Sequence, residues 1–293
     1  MILAAIQKAP QLPITEQQLA LANLFGAILL VVGLAVYARL FRRVGENGGR
    51  VRTDHLQMPD MLIAITLILI LALFAVQAFF SIAHGAEAAA APRQKFTAEG
   101  ILSGGMFLLI PALGICAFLA ARRISLCEIF GLGRVSPGKV PFIAAGLVLA
   151  VLPALLLANV LMMNFFPTHA EPQELVKVYK SAVAGGRSGI IAAILFSATV
   201  MAPLAEELLF RGYFYPVLKR LFGPMSSAVF VSVLFGAVHG NLLTLPSLVL
   251  LAFALTLAYE WSGSLLVPIF MHAVFNGTNL LLMWAASHYG LDV

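Results

Sequence analysis

The sequence predicts an all-α fold, a polytopic bundle of about eight transmembrane helices. Three observations carry that expectation. Of the 293 residues, 61% are hydrophobic and 11% charged, and the mean hydropathy is +0.98, outside the range of water-soluble domains. The apolar residues fall into runs of roughly 20, the length a helix needs to cross a hydrocarbon core of about 30 Å. Loops rich in arginine alternate with loops poor in it.

The elements follow in order. The first span is read at 22–40, closed by Arg39, Arg42 and Arg43, with Arg50 and Arg52 in the loop beyond. The second, 61–82, leads into an Ala-rich connector at 88–91 that ends in Pro92. The third, 101–121, is followed by Arg122, Arg123, Arg134 and Lys139. Gly131, Gly133, Pro137 and Gly138 punctuate that loop and divide the chain into a three-span region, 1–139, and a core, 140–293. The core's spans are read at 140–166, 190–218, 226–239, 242–259 and 265–286, the sixth of the eight being short.

Cytoplasmic loops carry an excess of Lys and Arg. Twelve of the 18 basic residues fall in the loops after the first, third and fifth spans and six in the others, which places both termini outside. The net charge of +5 therefore reads as topology, so membrane lipids are the expected partners and nucleic acid is not. A cleavable signal peptide is not expected, because the first 20 residues lack a basic segment followed by a long apolar one. Cys116 and Cys127 lie on opposite sides of a membrane boundary, where neither a disulfide nor a thiolate metal site is expected.

The fifth span holds two adjacent acids, Glu206 and Glu207, followed by Arg211. A carboxylate in hydrocarbon costs about 3 kcal/mol on insertion scales, so such groups mark pathways or reaction sites. On a helix Glu207 and Arg211 are i and i+4, neighbours on one face, while Glu206 is turned about 100° away. That geometry assigns Glu207 to an ion pair with Arg211 and leaves Glu206 free to act as a general base. Two further i, i+4 pairs interrupt apolar spans, Phe235 with His239 and His272 with Asn276. A lone histidine in such a helix is as often an interhelical hydrogen-bond partner. A purely structural charge cluster accounts for the acids as well, so residue types and spacing alone leave both readings open.

These three pairs resemble the motifs of the CPBP intramembrane proteases, which include the type II CAAX prenyl proteases and the Abi and bacteriocin-processing proteins. The first motif stands as Glu206, Glu207 and Arg211 in EELLFRGYFYPVLKR, the second as Phe235 and His239 in FGAVHGN, and the third as His272 and Asn276 in YEWSGSLLVPIFMHAVFN. The resemblance covers roughly 190–283 and implies that 140–293 is a catalytic membrane core. It implies an intramembrane endopeptidase in which Glu206, helped by His239, takes a proton from water. His272 and Asn276 then donate to the developing oxyanion, and Glu207, Arg211 and Phe235 support them. The implied substrate is a prenylated, leader-peptide or other membrane-associated protein, and the implied location a bacterial inner membrane. A metal-dependent variant of this reading uses zinc held by Glu206, His239 and His272, although no His-Glu-x-x-His run is present.

Other chemistries are weaker. Gly186, Arg187, Ser188 and Gly189 match a Gly-x-Ser-Gly pattern, but their place in an external loop reads as a loop and helix N-cap. No aspartate lies in the apolar spans as read, since Asp54, Asp60 and Asp292 all fall outside them. A non-enzymatic scaffold, immunity factor or transporter is the alternative. No pair of related halves of the kind transporters use is visible.

Overall fold

The computed structural model describes residues 15–83, 96–166 and 174–288; the connector read at 88–91 lies outside them. Among these residues there are helices and turns and no strand. Helix α1 is Glu16–Asn47, α2 Met58–Ala83, α3 Ala98–Ala121, α4 the single turn Leu126–Ile129, and α5 Val140–Phe165. An 11-residue amphipathic helix, α6 at Glu174–Ala184, was read from the sequence as loop. The fifth span runs over Ser188–Phe222 as α7 Ser188–Phe196, α8 Ala202–Leu209 and α9 Tyr215–Phe222, joined by two π-helical stretches. Helices α10 Pro224–Val238, α11 Leu245–Ser262 and α12 Leu266–His288 complete the bundle. Ser188 is the first helical residue and Arg187 the cap, so the N-cap reading of Ser188 is off by one.

Among the described residues, seven helical spans are long and apolar enough to cross a membrane. The expected sixth span is α10, whose 15 residues reach about 22 Å, short of a core of about 30 Å. Gly223 before it (φ 79°) and Gly240 after it (φ 59°) adopt left-handed conformations open to glycine, and these fix its ends. The helix ends at His239, its C-cap, which is half-buried.

Helix α11 is the centre of the fold. Of its 18 residues 61% are buried, against 28% or less over the most apolar stretch of each of the other six described spans. It packs on α1, α5, α10 and α12. The α1–α5 contact is set by Gly33, where a Cβ would lie 1.8 Å from the Ala150 carbonyl oxygen. Gly33→Leu is expected to force the two helices apart, at about 1 to 3 kcal/mol or more for overpacking. A thermal melt of the purified variant checks it; an unchanged midpoint would mean that α1 does not rest there.

The three arginine-rich loops meet at one end of the bundle. Arg134 Nη1 donates to Arg50 O at 2.8 Å, Lys219 Nζ to Val51 O at 2.9 Å, and Arg220 Nη1 to Thr53 O at 2.9 Å. Two buried acids that the sequence reading assigned to no span hold this end together. Asp60, in the first turn of α2, takes both carboxylate bonds from Arg122 Nη1 at 2.6 and 2.5 Å, and its main-chain oxygen accepts from Tyr213 Oη. Glu260, near the end of α11, accepts from Tyr215 Oη and Lys219 Nζ, both at 2.6 Å, and from the Val51 amide at 3.0 Å. Fully buried carboxylates with this many donors answer the desolvation that burial imposes. The residue 48–60 strap of the N-terminal region thereby grips the same long span that carries Glu206 and Glu207.

Candidate active site

The long span is locally widened on both sides of the glutamates. Its π-helical stretches are Ser197–Met201 and Phe210–Phe214, and each is followed closely by a proline, Pro203 and Pro216. A proline inside a helix has no N–H to offer and its ring crowds the carbonyl four residues back. One extra residue per turn relieves that crowding, and single π turns of this kind occur most often at functional sites. The result is a short α8 that carries both acids between two re-aimed turns.

Arg211 and Glu207 are wholly buried and paired, Nη1 to Oε1 at 2.9 Å. Arg211 is also held by its Nη2 on the Ala252 carbonyl of α11 at 2.9 Å, and its guanidinium lies 4.7 Å from the centre of the Phe235 ring. The same Glu207 oxygen lies 3.0 Å from His272 Nδ1, so the proton on that imidazole sits on Nδ1 and points at the carboxylate. The other imidazole nitrogen of His272 is 3.9 Å from Glu206 Oε2. One ring therefore stands between the two acids, bonded to Glu207 and facing Glu206. Glu206 Oε2 is buried and accepts no hydrogen bond among the described residues.

His239 bonds through Nδ1 to the Phe235 carbonyl at 2.6 Å, which likewise fixes a proton on Nδ1 and leaves Nε2 with its lone pair. Phe235 is the hub of the cluster. Its ring centre is 4.8 Å from that of His239 and 5.8 Å from that of His272, in addition to the Arg211 contact. Asn276 follows His272 by one turn of α12, and its Nδ2 donates to the Ala198 carbonyl at 2.8 Å. Direct contacts thus link Glu206, Glu207, Arg211, Phe235, His239 and His272, while Asn276 stands one turn on from His272 and is held by Ala198. Among the described residues, no three His, Cys, Asp or Glu side chains gather closely enough to hold a metal ion. The arrangement of Glu206, His239 and His272 does not fit zinc.

Set against known families, residues 188–278 match the model described as Type II CAAX prenyl endopeptidase Rce1-like. The likeness to that family is confined to this segment of the chain. The match opens with α7 and closes in α12 just beyond Asn276, so every residue of the cluster lies inside it and α1 to α6 lie outside. The chain is also similar to an uncharacterized 24.3 kDa protein of Escherichia coli, 36% identical over 92 residues that cover 30% of this chain. The aligned part spans 42% of that relative's length. No solved structure matches.

The structure also uses groups the sequence reading passed over, one beside the cluster and one at the arginine-rich end of the bundle. Ala198, which binds Asn276, is featureless as a side chain and acts through its carbonyl. Glu260 stands one residue past the boundary drawn for the seventh span. Its signal was present in the pairing of an acid with Tyr215 and Lys219, which lie at four-residue steps after Arg211.

Proposed function

We propose that this integral membrane protein is an intramembrane endopeptidase that cleaves a prenylated or otherwise membrane-associated protein near its carboxyl terminus, in a bacterial inner membrane. The observation that carries this reading is the unequal use of the paired acids. Glu207 is engaged by Arg211 and His272, whereas Glu206 Oε2 is buried, unbonded and directed toward an imidazole. An unengaged carboxylate beside an imidazole is suited to taking a proton from a water molecule.

In this mechanism Glu206 abstracts the proton of a water placed between it and the His239 Nε2 lone pair, and the hydroxide attacks the scissile carbonyl. His272, with its Nδ1 proton committed to Glu207, turns Nε2 toward the reaction site, and Asn276 donates an N–H to the developing oxyanion. Collapse of the tetrahedral intermediate breaks the C–N bond, and the proton held by Glu206 passes to the departing amine. Domain roles follow: 140–293 carries the chemistry, and 1–139 supports it through the strap at residues 48–60.

The test uses the full chain in lipid nanodiscs with three probes: a farnesylated peptide ending in a CAAX sequence, its unprenylated counterpart, and an apolar leader-like peptide, with mass-spectrometric detection of the products. Cleavage of the farnesylated probe is expected, with its rate unchanged by 1,10-phenanthroline. Loss of cleavage on chelation, restored by zinc, would replace the glutamate mechanism by a metal one. No cleavage of any probe would overturn the CAAX-type reading.

A further inference from the structure

We infer that Pro203 and the main-chain carbonyl of Ala198 fix the orientation of the Asn276 side chain, which makes the first π-helical stretch a positioning device for the oxyanion end of the site. The inference rests on the peptidase reading for its consequence but not for its geometry.

In an α-helix a carbonyl accepts from the amide four residues on, and in a π-helix from the amide five on. The amide of Ala202 donates to the Ser197 carbonyl, five residues back. It is therefore taken from Ala198, whose own α-helical partner it is. The π-helical partner of Ala198 is residue 203, a proline, which has no N–H. The sequence thus strips one carbonyl of both its helical donors, inside a span where no lipid group can replace them. Thr199, the adjacent hydroxyl, is committed elsewhere, donating from Oγ1 to Leu195 O at 2.6 Å. Asn276 Nδ2 fills the vacancy from α12 at 2.8 Å.

A carboxamide can turn over about its last bond, and the two faces differ in kind, one donating and one accepting. A bare carbonyl accepts only, so Ala198 holds the amide with its NH2 inward. One N–H of Nδ2 goes to Ala198, and the second has no protein partner among the described residues, one helical turn from His272. The reversed amide would point an oxygen at the same place and repel a developing oxyanion. Pro203, which touches no substrate, acts through Ala198 and Asn276 and is a positioning residue.

Pro203→Ala restores an amide at the position the Ala198 carbonyl needs. A merely structural proline in a helix interior gives a variant of equal or higher stability and full activity. We expect equal or higher stability with turnover of the farnesylated probe reduced at least tenfold and KM little changed. The decisive measurement is a double-mutant cycle in thermal melting, which requires no substrate. Asn276→Ala is expected to lower the midpoint clearly in the native background, where it orphans Ala198, and less than half as much in Pro203→Ala, where the new amide serves that carbonyl. Equal shifts in the two backgrounds, or full turnover by Pro203→Ala, would overturn the inference. If Pro203→Ala does not fold, Asn276→Asp decides, because it keeps the shape and loses the N–H. A lowered midpoint supports the proposal and an unchanged one overturns it. A native protein that cleaves no probe defeats the peptidase reading, and the melting cycle then decides the Ala198–Asn276 geometry by itself.

Discussion

Glu207→Gln is expected to lower the unfolding free energy by about 3 to 5 kcal/mol, the range found when one member of a buried ion pair is removed. Arg211 has no exposed side-chain surface, and Glu207 is its partner of opposite charge, at 2.9 Å. The Ala252 carbonyl and the Phe235 ring remain after the substitution, but neither carries a full negative charge. The same change replaces the anion at His272 Nδ1 by a neutral amide oxygen, which weakens the polar contact that α8 and α12 share. Glu206→Gln is expected to move stability by less than about 1 kcal/mol, because the Glu206 oxygen facing the site has no protein hydrogen bond to lose. Reversible unfolding in mixed micelles, compared for the two variants, reads the difference directly. Equal midpoints would mean that Glu207 is not the anchor of the cluster.

The bundle was legible in the sequence because hydrocarbon length and charge alternation are one-dimensional signals. The runs at 22–40, 101–121 and 140–166 fall inside or within a residue of α1, α3 and α5. The motif spacing was legible too, since i, i+4 pairs survive as contacts wherever the backbone stays helical. The arrangement around His272 was not. A turn of about 100° between Glu206 and Glu207 predicts separate tasks, yet nothing in that spacing says that one imidazole from α12 stands between them. Helix α6 was missed because its 11 residues are too few to cross a membrane and include two lysines, which reads as an external loop. Asp60 and Glu260 were missed because span boundaries were drawn one residue short of each. At the end of an apolar run, burial depends on which loop folds over it, here the strap at 48–60. The π-helical stretches accompany Pro203 and Pro216, which bracket the glutamates, and their consequence appears only when Asn276 arrives from another helix.

Glu206→Gln is expected to reduce turnover of a cleaved probe by about 10²- to 10⁴-fold, the usual contribution of a general base, equivalent to about 3 to 5 kcal/mol of barrier. The amide keeps the volume of the side chain and its reach toward His272, but it has no basic oxygen to accept a proton from water. KM is expected to stay within about threefold, because a group that acts only as the proton is moved contributes little to ground-state binding. The neighbouring alternatives give different outcomes. If His239 alone were the base, Glu206→Gln would retain most of its turnover and His239→Gln would lose it. If Glu206 served to hold substrate, KM would rise while kcat stayed near that of the native protein. Steady-state rates in nanodiscs, with folding checked by the same melts used for Glu207→Gln, separate these cases. A Glu206→Gln protein that folds and still cleaves the farnesylated probe at more than about a tenth of the native kcat would remove Glu206 from the role of base.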